Sequence, residues 1–122
     1  DYSSWCANLY RQADRLHVDP LSAEWLIRRH GARATEILDS INEDASLAGR
    51  IVPELPLIHA DLNWCASQEM VVHLDDLLRR RLPLLIITRP DAALLQDLAQ
   101  TVAVLQGWDA TRTEAEIRRC MP

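Results

Sequence analysis

The sequence predicts an all-α fold, a compact orthogonal bundle of about six helices with short turns. Three observations lead there. Apolar residues recur at intervals of three and four through most of the 122 residues, the spacing that lines one face of a helix. Aspartates, serines, prolines and glycines fall at the ends of those runs, where helices start and stop. The one apolar run without helical periodicity, Leu82 to Thr88, would have no partner as a strand.

Tyr2, Trp5, Cys6, Leu9, Ala13 and Leu16 form the stripe of a first helix, with Ser3 or Ser4 as its cap. Asp19 offers an acceptor to free amide donors and Pro20 suits the first helical position, so a second helix runs to His30 and stops at Gly31. Its expected buried face is Trp25, Leu26 and Ile27. Beyond Gly31, which acts as hinge or cap, Ala34, Ile37, Leu38 and Ile41 resume the period and give a third helix ending near Asn42 to Asp44. Leu47, Ala48 and Ile51 suggest one helical turn, and Pro53 and Pro56 exclude a continuous helix after it.

His59 to Ala66 reads either as a short helix carrying Leu62, Trp64 and Cys65 or as an extended segment. Ser67 as N-cap is the simplest account of a break there. From Ser67 onward Met70, Val71, Leu74, Leu77 and Leu78 make the stripe of a helix to Arg81. Its wet face sets Glu69 before His73, Asp75 before Arg79 and Asp76 before Arg80, acid first at i,i+4, each pair worth a few tenths of a kcal/mol. Arg79, Arg80 and Arg81 complement the negative carboxyl end. Leu82 to Thr88 then reads as buried connecting chain or a short helical turn. Leu94, Leu95, Leu98, Val102 and Leu105 define the next long helix, with Pro90 in its first turn and Gly107 at its end, and Trp108 folds back on the core. Thr111 with Glu114 three residues later has the form of a capping box that starts a last helix through Ile117 to Cys120.

Composition narrows the function classes. The length and the 48% apolar content suit a single domain with its own core, and three glycines leave little room for a flexible linker. No run approaches the roughly 18 uncharged apolar residues of a membrane span, and the start at Asp1 shows no secretory leader, so the expectation is a soluble, cytoplasmic domain. A formal charge of −5 argues against a nucleic-acid partner, whose phosphates call for clustered positive charge. All 13 basic residues are arginine, which removes lysine Schiff-base and lysine general-base chemistry. Cys6, Cys65 and Cys120 are odd in number, far apart and without a CxxC, which fits reduced thiols. Gly-rich phosphate loops, GxSxG and HExxH are absent from the sequence.

Candidate sites read mostly as structure. Were His59 to Arg81 one helix, Asp61, Cys65, Glu69 and His73 would share a face and invite a metal. No second Glu-x-x-His completes a bundle site, so the preferred reading breaks the helix at Ser67 and packs Cys65 inward. His17, His30 and His59 sit near predicted helix ends, where imidazole satisfies terminal carbonyls. Arg28, Arg29 and Arg33 suit an anion or a partner surface but read first as a solvated face. Of Trp5, Trp25, Trp64 and Trp108, three are expected in the core. No catalytic, cofactor-binding or metal-ligating residue is assigned to this chain.

The segment carrying Pro56, Ala60, Asp61, Trp64, Glu69, Met70, Leu74, Asp76, Leu78, Arg80 and Arg81 resembles the C-terminal helical domain of FAD-dependent glycerol-3-phosphate dehydrogenases and alpha-glycerophosphate oxidases. Two further elements agree. The Gly31 region followed by Ala34, Ile37 and Leu38 resembles the family's Tyr-Gly turn and helix, and Gly107-Trp108-Asp109, with Glu114 or Glu116 downstream, resembles its Gly-Trp-Asp lead into the last helix. The likeness spans Leu21 to Ile117. Asp61 stands where the family usually has glutamate, His30 where it has tyrosine, and Leu82 where it often has threonine.

The resemblance implies a parent that oxidises glycerol 3-phosphate to dihydroxyacetone phosphate with FAD, passing electrons to quinone at the membrane or to oxygen in the oxidases. FAD, its Gly-rich loop and the substrate pocket would lie in an N-terminal domain of the same chain. The present chain, which begins without methionine and enters a helical pattern at once, reads as a C-terminal cap cut from something longer and silent by itself. A homodimer and a peripheral position at the inner membrane are further expectations for the parent. Within the cap, Asp61, Trp64, Glu69, Asp76, Arg80 and Arg81 are the expected structural or domain-interface residues. Competing readings are a stand-alone helical interaction module using an arginine or tryptophan patch, and a helix-turn-helix regulator, which the acidic charge disfavours.

Overall fold

Four long helices of this protein begin at an aspartate whose carboxylate accepts an amide N–H of the first turn. Asp1 accepts from Ser4 at 2.8 Å, Asp19 from Ser22 at 2.9 Å, Asp91 from Leu94 at 2.8 Å and Asp109 from Arg112 at 2.7 Å. Each bond satisfies a donor that the helix itself cannot, and an aspartate cap is worth about 1 kcal/mol over alanine. The structure is a computed structural model that describes residues 1–68, 73–81 and 91–121, with backbone alone at 80 and 81.

The long helices are α1 (Tyr2–Arg15), α2 (Pro20–His30), α3 (Ala34–Glu43) and α4 (His59–Gln68). After them come a single turn α5 (Leu74–Asp76) that runs into a π-helical turn Leu77–Arg81, then α6 (Ala92–Gln106) and α7 (Ala110–Cys120). The 3-10 turns Gly31–Arg33 and Ala45–Ala48 follow α2 and α3. The all-α class holds among the described residues, where β structure is limited to one isolated antiparallel bridge, Arg50 with Ile58. That bridge, with the Ile51 N–H on Leu57 O at 2.9 Å and the His59 N–H on Gly49 O at 3.0 Å, closes the proline-bearing loop ahead of α4.

The chain divides into two compact units, Asp1–Asp61 and Leu62–Pro122, with α4 carrying the division. In the first unit α1, α2 and α3 pack on one another, and Leu26, Ile37, Leu38 and Ile41 are fully buried. In the second, α7 packs on both α5 and α6, and Leu74, Leu78, Leu98 and Val102 are fully buried. Each such side chain contributes roughly 1.5–3 kcal/mol through the apolar area it removes from water.

Local signals that act alone are where the sequence expects them. Pro20 opens α2 behind Asp19, and Gly31 ends it at φ 53°, ψ −122°, a conformation that glycine alone adopts without strain. Gly107 ends α6 at φ 74°, ψ 30°, and the N–H groups of Gly107 and Trp108 both reach Ala103 O. The segment His59 to Ala66, left open between helix and extended chain, is helix.

Several expectations are corrected. Asp1, not Ser3 or Ser4, caps α1. Asp109, not Thr111, caps α7, so the helix starts two residues earlier than a Thr111 cap would place it. Asp91 caps α6. In α1 and α7 a carboxylate two or three residues upstream accepts the amide first. Ser67 is not an N-cap: it lies inside α4, its hydroxyl donating to Trp64 O at 3.2 Å. The continuous helix from Ser67 to Arg81 is not formed either, because α4 ends at Gln68 and His73 is extended at φ −136°, ψ 139°. Of its stripe, Leu74, Leu77 and Leu78 are buried as expected, while Met70 and Val71 lie outside the described residues, as do Glu69 of the wet face, Leu82 to Thr88 and Pro90.

The tryptophans are a further correction, since none of the four is fully buried. The inward face of α2 is Ser22, Ala23, Leu26 and Ile27, which leaves Trp25 on the adjoining arc at 44% exposure. Trp5, Trp64 and Trp108 are half-buried.

Candidate functional site

Three carboxylates gather the polar interactions of the described residues. Asp61 in the first turn of α4 is 1% exposed. One of its oxygens accepts the Ile58 N–H at 3.0 Å and the other lies 2.8 Å from His30 Nε2 at the end of α2. The Asp61 N–H in turn donates to Ile58 O at 3.0 Å. This is the reaching-back half of a capping box, with the third helical residue satisfying the amide of the residue before the helix. His30 therefore ties α2 to the start of α4, a stronger task than the carbonyl contact expected of it.

Asp19 performs two functions at once. Besides capping α2 it receives the guanidinium of Arg50 through two bonds of 3.0 Å, and Arg50 also donates to Pro53 O at 2.8 Å. The two-pronged Arg50 contact, against an opposing cost of partial burial and with help from Ser22, holds the Asp19 carboxyl well below the usual carboxylate range. Arg50 thereby pins the loop after α3 to the start of α2.

Glu116 on α7 is 2% exposed. Its Oε1 accepts the Leu74 N–H at 2.7 Å, and its Oε2 accepts from His73 Nδ1 at 3.0 Å and Arg112 Nε at 3.1 Å. Burial pushes its pKa up, but the three donors outweigh burial and the net shift is downward. Arg112 also lies 4.6 Å over the Trp108 ring, so the aromatic residue after Gly107 positions the cation that serves Glu116. Beside this cluster Arg119 pairs with Asp75 at 3.6 Å, in place of the partner Arg79 that helical spacing suggests. Burial first, then the charges of Asp75 and Glu116, push the Cys120 thiol up to about 11, which keeps it protonated and unreactive.

The chemistry these groups offer is fastening. Each carboxylate is engaged by donors from its own unit, Asp19 by Ser22 and Arg50, Asp61 by Ile58 and His30, and Glu116 by Leu74, His73 and Arg112. A groove of about 510 Å³ runs along α6 and α7, lined by Gln96, Gln100, Val104, Trp108, Glu114 and Ile117 among others. Among the described residues Glu114 is its single ionisable lining residue, and it pairs with Arg118 at 3.2 Å. Among the described residues no group of three or more metal-ligating side chains converges, and the face imagined for Asp61, Cys65, Glu69 and His73 ends with α4. No helix is long and apolar enough to cross a membrane among the described residues.

The residues singled out in the sequence separate clearly. Asp61 is a buried anchor, Trp64 is half-buried on α4, and Asp76 is exposed. Arg80 and Arg81 lie in the π-helical turn, their side chains outside the described residues, as is Glu69. The Asp19–Arg50 and His73–Glu116 pairs carry no local sequence signal, their members being 31 and 43 residues apart. A weak signal for Glu116 existed in its place after Gly107-Trp108-Asp109.

A family described as the C-terminal domain of alpha-glycerophosphate oxidase matches residues 2–113. A protein named glycerol-3-phosphate dehydrogenase, from Synechocystis sp., is 30% identical over 104 residues, 84% of this chain and 19% of that protein. The chain thus spans about a fifth of the length of that curated relative. No solved structure matches. With Asp19, Asp61 and the Gly-Trp-Asp turn inside the matched region and Glu116 just beyond it, the chain belongs to the family of alpha-glycerophosphate oxidase C-terminal domains.

Proposed function

We propose that this chain is the helical cap of a FAD-dependent glycerol-3-phosphate dehydrogenase, whose N-terminal part binds FAD and oxidises glycerol 3-phosphate to dihydroxyacetone phosphate. The cap supplies shape and no reacting group. The observation that carries this reading is the family match over residues 2–113. The engagement of these carboxylates supports the division of labour, since the half-buried Asp19 and the buried Asp61 and Glu116 each hold helix ends.

FAD itself does not fit this chain. Its pyrophosphate is bound by a Gly-rich turn between a strand and a helix, whereas the three glycines here stand far apart and the described residues contain no named strand. The flavin therefore belongs to the N-terminal part, as does the substrate pocket. On the same reading the parent is cytoplasmic, lies peripherally at the inner membrane to deliver electrons to quinone, and pairs as a homodimer. Asp76, Arg80 and Arg81 remain proposed interface residues.

Expression of the full reading frame tests the proposal. The purified protein should be yellow, and its flavin should bleach on addition of glycerol 3-phosphate and recover with a quinone analogue. The 122-residue chain alone should be colourless and inactive. A colourless full-length protein, or flavin bound by this chain alone, would refute the division.

A further inference from the structure

The first unit leaves an aromatic face uncovered. On α1, Tyr2 is 74% exposed and Tyr10 39%, with Trp5 and Cys6 half-buried between them. On α2, Leu21 is 47% exposed and Trp25 44%, and Arg28 follows on the same arc. The two arcs join. Tyr2 packs on Trp5 with ring centroids 5.7 Å apart, and its hydroxyl lies close to the Cys6 thiol and near enough to Arg28 to be influenced by its charge. Helices α1 and α2 pack on each other, so the patch is one surface, and it lies wholly within the first unit.

Tyrosine, tryptophan and arginine are the residues that anchor interfaces, because they bury large rigid areas at small entropic cost. The surface exposed by these side chains is on the order of 400 Å², about half of what each partner of a stable free complex contributes. A second copy arriving from solution would have to offset its whole translational and rotational entropy from that area. A partner tethered directly to α1 would not, because a short tether sets a millimolar effective concentration. In the family order the rest of the protein precedes this domain, and it would enter at Asp1, the cap of α1, beside Tyr2.

We propose that the face formed by Tyr2, Tyr10, Leu21, Trp25 and Arg28 is where this domain docks on the N-terminal flavin-binding part of the same polypeptide. The inference rests on the reading above and adds to it which face is covered. It makes α1 both the connection and the contact, so that small area suffices. The groove along α6 and α7 is left to solvent.

Hydroxyl-radical footprinting of the full-length enzyme in solution is the test. Tyr2 and Trp25 should be labelled about tenfold less than the exposed Met121, the ratio expected for a docked population of about nine in ten. Leu21→Glu with Trp25→Glu should expose the chain ahead of α1 to protease while the flavin spectrum stays intact. Val104→Glu, at an 81% exposed position on α6, should leave the cleavage pattern unchanged. If the enzyme is yellow and active yet Tyr2 and Trp25 label like Met121, the docking face is wrong and the function stands. Protection that appears only with rising protein concentration means a second copy, and protection only with added phospholipid vesicles means a membrane; either overturns the inference. A full-length protein without flavin overturns the function and this inference together.

Discussion

The carboxylate of Glu116 accepts the backbone N–H of Leu74 at 2.7 Å although 42 residues separate the two. That bond starts α5 from outside: a side chain of the last helix does what a local cap does elsewhere in this protein. It also explains why His73 is extended, since the amide of Leu74 points to Glu116 and not back along a continuing helix.

Replacing Glu116 by alanine orphans the buried Leu74 amide and removes the partner of His73 and Arg112. The side chains of His73 and Arg112 are each more than a third exposed and can turn to water. The orphaned amide therefore dominates, and the expected loss is about 2–3 kcal/mol by urea unfolding at pH 7. Glu116→Gln, which keeps an acceptor for Leu74, should cost less. The folded-state pKa is depressed below 4.5, so the stabilisation by charge is fully present above about 4.5 and fades as pH falls through the folded value. The gap between wild type and Glu116→Gln should hold from pH 7 to about 4.5 and narrow below it. A gap unchanged at pH 3 would contradict the assignment.

Gly31 and Gly107 both have positive φ, but they should respond differently to substitution. A Cβ meets nothing within 4 Å at either position, so the cost is backbone strain alone. Gly107 at φ 74°, ψ 30° lies in the left-handed helical region that asparagine tolerates, and Gly107→Asn should cost well under about 1 kcal/mol. Gly31 at φ 53°, ψ −122° lies where non-glycine residues are strained, and Gly31→Ala should cost about 1–3 kcal/mol. His17 is a third case, a non-glycine at φ 66° ending α1 with the Val18 N–H on Ala13 O at 2.9 Å. His17→Gly should raise the melting temperature.

These contrasts show which parts of the molecule could be read from the sequence. Asp19-Pro20, Gly31 and Gly107 are legible because a helix end is decided by a few consecutive residues. The stripe of Leu74, Leu77 and Leu78 gave correct burial with the wrong helix, since periodicity fixes which side faces inward and not where a distant carboxylate breaks the chain. Arg50, His73 and Glu116 were invisible as a set, their partners lying 31 to 43 residues away. Only the family likeness pointed towards Asp61 and the Gly-Trp-Asp turn, and it named them without saying what they touch.

Asp19 separates the worth of a cap from that of an ion pair. Its side chain is 38% exposed and that of Arg50 27%, so the pair is discounted for solvent despite its two short bonds. Arg50→Ala should cost about 0.5–1 kcal/mol, whereas Asp19→Ala, which also removes the cap of α2, should cost about 1–2 kcal/mol more than that. The Asp19 pKa is depressed, so this stability is present above the ordinary aspartate value and lost as pH falls below it. Equal losses for the two alanine variants in chemical denaturation would mean that the cap contributes nothing.

Asp61 offers the sharpest comparison of charge with hydrogen bonding. Both its side chain and that of His30 are buried, at 1% and 10% exposure, so water cannot replace a lost partner. Asp61→Ala strands the Ile58 amide and His30 together and should cost about 3–5 kcal/mol, as removal of one member of a buried pair does. Asp61→Asn keeps an oxygen for Ile58 and can donate through its amide to a neutral His30, so its cost should be about 1–2 kcal/mol. Asp61→Glu restores the residue usual in the family but needs room for one more methylene where the present carboxylate already bonds at 2.8 and 3.0 Å. It should therefore destabilise as well, by about 1–3 kcal/mol, unless His30 is changed to tyrosine at the same time. The double substitution Asp61→Glu with His30→Tyr should recover part of the loss in thermal unfolding. Strict additivity of the two single variants would show that these positions do not act as a pair.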